Sequence, residues 1–227
     1  VIGDRAFGHD AETVNKFVSS AIRGFQTTGI LSCAKHFPGH GSTHKDSHYD
    51  LPIVNRSLEE LKMQEFLPFA KAIKSRVEFV MTAHLIVDAF NSSVPTSLCP
   101  EVYTYLRDSL RFKKLLITDD MQMKAITDHY GVEQAAWMAI EAGANIVEYR
   151  DIKMASKALE GLKKAHKKKN LSEKRIKDSI KKIYNCKKEN LSEYKPVYIP
   201  DVAQKVGNSN HQTFLDDLKN QIKEIKS

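Results

Sequence analysis

Two rhythms of apolar positions alternate along the chain. In the first, apolar side chains recur every three or four residues, as on one face of a helix. Val14, Phe17, Val18, Ile22 and Phe25 follow this spacing behind Asp10, a helix-capping residue, and Gly29 closes the run. In the second, apolar residues follow one another in short unbroken runs, as in a strand buried on both faces. Such runs fall at 30–37, 77–83, 115–118 and 145–149. Helical stretches separate them. Ser57 and Glu60 form an S-x-x-E capping box that opens a helix to about residue 74. Pro100, preceded by Ser97 or Cys99, opens another to about residue 110. A further helix covers 133–142 and stops at Gly143.

Strands separated by helices imply right-handed βαβ crossovers and a parallel sheet. In such folds chemistry gathers at the C-terminal strand ends. The first strand runs into Lys35-His36-Phe37-Pro38-Gly39-His40-Gly41, the second ends in Thr82-Ala83-His84, and the third in Thr118-Asp119-Asp120. Beyond Tyr149 the character changes. Residues 152–169 read as a basic helix, and Ser172 caps another with Ile176, Ile180 and Ile183 on one face. A short amphipathic piece with Phe214, Leu215, Leu218, Ile222 and Ile225 ends the chain.

Composition narrows the classes. With 227 residues, 41% of them hydrophobic and 28% charged, the chain has the profile of a soluble globular protein. That excludes a disordered tail, a collagen-like fibre and a disulfide-framed miniprotein. Cys33, Cys99 and Cys186 are scattered, with no CxxC pair. No apolar run approaches the ~20 residues of a membrane span. No secretory signal is visible at Val1, and the opening on Val rather than Met leads us to expect that the natural start is missing. The net charge of +7 is unevenly spread: residues 1–150 carry −2 and residues 151–227 carry +9. No aromatic residues interleave the C-terminal lysines, so they read as a solvated helix face and no nucleic-acid partner is expected.

The densest chemistry lies in 35–50. His36, His40, His44 and His48 recur every four residues, which would make a metal stripe on a helix. Pro38, Gly39 and Gly41 forbid a helix there, so no metal site is expected. Asp46 and His48 stand two apart. A carboxylate that accepts one imidazole N–H leaves the other ring nitrogen free for general acid–base work, although a surface pair without coupling would look the same. Asp119 directly follows an apolar strand, where a carboxylate can be a nucleophile, a metal ligand or a helix cap. Asp120 stands beside it, and the two like charges cannot both be buried and ionised without cost, so one of the two is expected to work and the other to be structural.

Residues 35–52, KHFPGHGSTHKDSHYDLP, closely resemble the signature of family 3 glycoside hydrolases of the β-N-acetylglucosaminidase branch. Residues 2–8 (IGDRAFG), 117–123 (ITDDMQM) and 171–187 (LSEKRIKDSIKKIYNCK) resemble that family's arginine-bearing loop, nucleophile strand and late helix. The resemblance implies a retaining hydrolase acting on terminal β-linked N-acetylglucosamine, on muropeptide or other oligosaccharide fragments, with no metal or organic cofactor. Transfer to phosphate instead of water stays open. Asp119 would be the nucleophile, His48 the general acid and then base, and Asp46 its partner; Arg5, Lys35 and His36 would bind sugar hydroxyls. His84 also falls in the family pattern, either lining the sugar site or bracing the strand ends.

The family fold is a (β/α)8 barrel, and the matched segments correspond to its second half. The expectation is therefore an α/β chain: a partial (β/α)8 barrel of about the last four βα units over 1–188, then a partly helical tail over 189–227. The missing N-terminal half-barrel or another copy is the expected partner, and the chain alone is expected to be weak or inactive. The competing reading is a non-catalytic half-barrel remnant that binds glycan or acts structurally. Relatives occur inside the cell and as exported envelope proteins, with the cytoplasm favoured.

Overall fold

A computed structural model describes residues 2–41, 51–90, 93–193 and 195–226. The chain divides into two compact units, Val1–Cys186 and Lys187–Ser227. The first unit opens with a single 3-10 turn at Gly3–Arg5 and then α1, Ala11–Thr27, capped by Asp10, whose carboxylate accepts the Thr13 N–H at 2.8 Å. β1 (Cys33–Phe37), β2 (Ile53–Val54), α2 (Leu58–Met63), α3 (Phe66–Lys74), β3 (Phe79–Thr82) and β4 (Ile86–Val87) follow. Then come α4 (Pro100–Thr104), β5 (Leu115–Asp120), α5 (Lys124–Thr127), α6 (Val132–Ala142), β6 (Ile146–Glu148), α7 (Ile152–Lys167) and α8 (Glu173–Leu191). α9 (Ile199–Lys205) and α10 (Ser209–Lys226) belong to the second unit, where Phe214, Leu215, Leu218, Ile222 and Ile225 are all exposed. Among the described residues no helix is long and apolar enough to cross a membrane.

The four expected strands form one parallel sheet in the order β1-β3-β5-β6. β1 and β3 start later than the apolar runs suggest, because the first apolar residues close the preceding helices. The Ile30 N–H bonds to the Phe25 carbonyl, and the Val77 N–H to the Ala72 carbonyl. The helix expected over 57–74 is instead two. Its Ser57–Glu60 capping box is present, but Pro68 lacks an N–H and its ring crowds the carbonyl four residues back, so the helix breaks at Gln64–Glu65. The helix expected to reach 110 ends at Thr104 and finishes in one π turn, Tyr105–Ser109. A two-stranded parallel pair, β2 with β4, was not anticipated.

One face of the sheet packs under the helices. Phe37 stacks on Phe66 at 5.2 Å and meets Phe69 edge-on at 5.1 Å. Val80, Thr82, Leu116 and Thr118 are fully buried on the same side. α8 is tied to this layer by Arg175, whose guanidinium donates to the carbonyls of Ile140, Gly143 and Ala144 at the end of α6. Gly143 itself sits at φ 147°, and a Cβ there would collide with the Tyr103 ring. The other face carries Cys33, Lys35, Phe79, Met81, Ile117, Ile146 and Glu148, all partly or fully exposed.

Two irregularities break the ladders at the C-terminal strand ends. Between β1 and β3 the register passes from Ala34↔Val80 to Phe37↔Thr82, so β1 carries one extra residue. Between β5 and β6 it passes from Ile117↔Ile146 to Asp120↔Glu148, so β5 carries one extra residue as well. A bulge of this kind changes which way the following side chains point. On β1, Cys33 and Lys35 are exposed, yet Phe37 is fully buried on the helix side.

Candidate active site

His36 and Asp119 lie at the two bulges, with β3 between their strands. The side chains converge across the β3 end: His36 Nε2 stands 3.6 Å from Asp119 Oδ2. Asp119 Oδ1 accepts the N–H of Asp120 at 2.9 Å, which leaves Oδ2 as the oxygen turned to the imidazole. Burial, opposed by Asp119 and reinforced by the positive charge of Lys35, His40 and Arg5, pulls the His36 pKa down to about 4. At neutral pH the contact is therefore between a neutral ring and a carboxylate. His36 Nδ1 is buried and has no hydrogen-bond partner among the described residues. His40 packs edge-on to the His36 ring, 6.0 Å between centroids.

Asp120 is held differently. Its Oδ2 pairs with Arg150 Nε at 2.8 Å, and its Oδ1 accepts the Gln122 N–H at 3.0 Å. Its carbonyl accepts from His84 Nε2 at 3.1 Å and from the Met123 N–H at 3.0 Å. Of the two neighbouring carboxylates, Asp120 is thus the immobilised one and Asp119 the one with an oxygen turned to His36. Glu148, across the β5–β6 pair, has its carboxyl pKa raised by burial and by the negative charge of Asp119 and Asp120.

His84 follows β3 and is completely buried. Its Nδ1 is 2.7 Å from Ser97 Oγ, and burial lowers its pKa. Both ring nitrogens are occupied within the protein. Lys35 is exposed on the open sheet face, and Arg5 ends the turn at Gly3–Arg5, its charge felt at His36. Asp46 and His48 lie outside the described residues, as do His44 and Tyr49. Among the described residues no group of three or more His, Cys, Asp or Glu is disposed to hold a metal ion. Met121 and Met123 are buried in the core.

The sequence profile of the glycosyl hydrolase family 3 N-terminal domain matches residues 1–186. The chain belongs to glycosyl hydrolase family 3. A curated β-hexosaminidase from Stenotrophomonas maltophilia is 34% identical over 147 residues, which cover 64% of this chain and 44% of that protein. One from Methylococcus capsulatus is 34% identical over 149 residues, with 65% and 44% covered. The chain therefore spans less than half the length of these relatives. Among solved structures, a family 3 β-N-acetylglucosaminidase from Paenibacillus sp. superposes with a TM-score of 0.84 at 36% identity, covering 87% of this chain and 38% of that one. The α/β fold with its parallel sheet thus matches the barrel domain of family 3 neighbours.

Within this family 3 chain, sequence reasoning overlooked Arg150, Gln122, Glu148 and Ser97. Glu148 and Arg150 lie at or just beyond the end of β6. The rule that drew attention to the other three strand ends would have flagged them had it been applied to the fourth. Ser97 carried no signal beyond its candidacy as a helix cap.

Proposed function

We propose that this chain carries the catalytic half of a retaining β-N-acetylglucosaminidase that removes terminal β-linked N-acetylglucosamine, with peptidoglycan fragments as the expected source. The observation that carries the reading is the unequal treatment of the two strand-end carboxylates. Asp120 is locked by Arg150 and by backbone, while Asp119 keeps one oxygen 3.6 Å from the neutral ring of His36. An anchored carboxylate with one free oxygen at a C-terminal strand end suits nucleophilic attack on an anomeric carbon.

In the proposed double displacement Asp119 Oδ2 bonds to the anomeric carbon as the bond to the leaving oxygen breaks. His48, supported by Asp46, gives that oxygen its proton. His48 then takes a proton from water, the resulting oxygen attacks the same carbon from the other side, and Asp119 departs as carboxylate. Two inversions give retention. His36 and Lys35, with Arg5, would hold sugar hydroxyls; the unpartnered His36 Nδ1 is a free hydrogen-bonding atom for that purpose. An imidazole acid–base adds no second negative charge beside Asp119.

We further propose that the four-stranded sheet is the latter half of a (β/α)8 barrel. Its exposed face of Cys33, Lys35, Phe79, Met81, Ile117, Ile146 and Glu148 would be the interior of that barrel, completed by the remaining βα units or by a second copy. Turnover of an aryl β-N-acetylglucosaminide, by the chain alone and with the first four βα units of a relative supplied in trans, tests both points. Asp119→Asn should lower kcat by about a thousandfold or more in whichever form is active. Equal rates for the wild type and Asp119→Asn would overturn the reading and favour the non-catalytic remnant.

A further inference from the structure

We propose that His84 is a positioning residue for Asp119: by holding the Asp120 carbonyl it fixes the strand end whose N–H anchors one carboxylate oxygen and thereby aims the other. The proposal rests on Asp119 being the reacting group, as argued above.

The geometry runs through one residue. Asp120 has every polar atom engaged: its N–H donates to Asp119 Oδ1, its Oδ1 accepts from the Gln122 N–H, its Oδ2 from Arg150 Nε, and its carbonyl from both the Met123 N–H and His84 Nε2. Gln122 and Met123 lie in the turn that follows, and Arg150 is 66% exposed at its side chain. His84 alone ties Asp120 to another strand through a completely buried side chain. It is itself held from behind. Ser97 Oγ meets Nδ1 at 2.7 Å, the Ser97 carbonyl accepts from the Tyr103 hydroxyl at 2.8 Å, and that hydroxyl is 3.0 Å from Thr82 Oγ1. Tyr103, Ser97 and Thr82 are buried too. A chain of hydrogen bonds, buried from α4 to His84 and part-buried beyond it, thus reaches the Asp119 carboxylate.

The tautomer follows from the partners. A carbonyl can only accept, so Nε2 carries the hydrogen; Nδ1 then offers its lone pair, and the Ser97 hydroxyl donates. Asp119 and Asp120 favour an imidazolium here and His40 opposes it, but burial outweighs them and keeps the ring neutral. In this state His84 adds no charge beside Asp119, only orientation.

Two substitutions separate positioning from mere cavity filling. The Gln side chain places an amide N–H near the site of Nε2, so His84→Gln can still reach the Asp120 carbonyl. Asn is shorter, so His84→Asn can accept from Ser97 but falls short of Asp120. With carboxyl-13C aspartate, Asp119 being assigned through Asp119→Asn, the Asp119 carboxyl 13C chemical shift at neutral pH should move in His84→Asn and return towards wild type in His84→Gln. Where turnover of an aryl β-N-acetylglucosaminide is measurable, His84→Asn should lower kcat by about tenfold to a hundredfold with KM within about twofold, and His84→Gln should recover most of that loss. An Asp119 carboxyl 13C chemical shift that is the same in all three proteins overturns the positioning role, whether or not the chain turns over substrate. Absence of turnover in every form of the wild type would sink the glycosidase reading instead. Should a variant not fold, the imidazole 15N spectrum of the wild type decides: protonated Nε2 with bare Nδ1 is expected, and the reverse tautomer overturns the proposal.

Discussion

At the residue scale the protein keeps neutral imidazoles beside carboxylates, and this has a price in acid. The unfolded chain protonates His36 near the ordinary histidine value of about 6.5, whereas the folded chain resists protonation down to about 4. Between those values the unfolded state binds more protons, so stability falls as pH drops through the window and is fully present above it. His84, also held below its ordinary value, acts in the same direction. Urea unfolding from pH 7 to 4.5 should show this loss, with up to about 3 kcal/mol attributable to His36. His36→Asn should flatten part of the slope; an unchanged slope would rule out a neutral, buried His36. Spacing alone left the choice between Asp119 and Asp120 open, and only the family resemblance implied Asp119. What holds Asp120 in place is Arg150, a partner thirty residues away, and no local pattern announces such a pairing.

At the element scale most of the fold was readable because strands and helices impose different spacings on apolar residues. The four strands, the Asp10 cap and the Ser57–Glu60 box all stand where the pattern put them, within a few residues. Pro68 could have been read as the break it makes. β2 and β4 could not, since strands of two residues have no periodicity to detect. The late helix α8 also resembled the family without a reason visible in its letters. Its tie to the rest of the fold is Arg175, which collects three carbonyls at the end of α6. Arg175→Met should destabilise the chain by about 2–4 kcal/mol, because it leaves those partly buried acceptors unpaired. Arg175→Lys should recover little, since one ammonium cannot span three carbonyls in the geometry of a planar fork. Thermal unfolding of both variants checks this, and a Lys variant as stable as wild type would contradict it.

At the scale of the whole molecule, a parallel sheet normally has both faces covered. Here one face of the four-stranded sheet is partly exposed, and β1 and β6 stand at its edges. Edge strands and apolar surface of this kind favour association. Sedimentation velocity from about 1 to 100 µM should therefore reveal concentration-dependent self-association, suppressed when the complementary βα units of a relative are added. A chain that stays monomeric throughout and takes up no added half would contradict the half-barrel proposal.

The two extra residues, one in β1 and one in β5, make the meeting of His36 and Asp119 a matter of counting as much as of chemistry. Shortening either strand by a single residue ahead of its bulge would leave imidazole and carboxyl in the chain but rotate one of them toward the helices. A deletion that removes no functional group would then silence the site as thoroughly as replacing one.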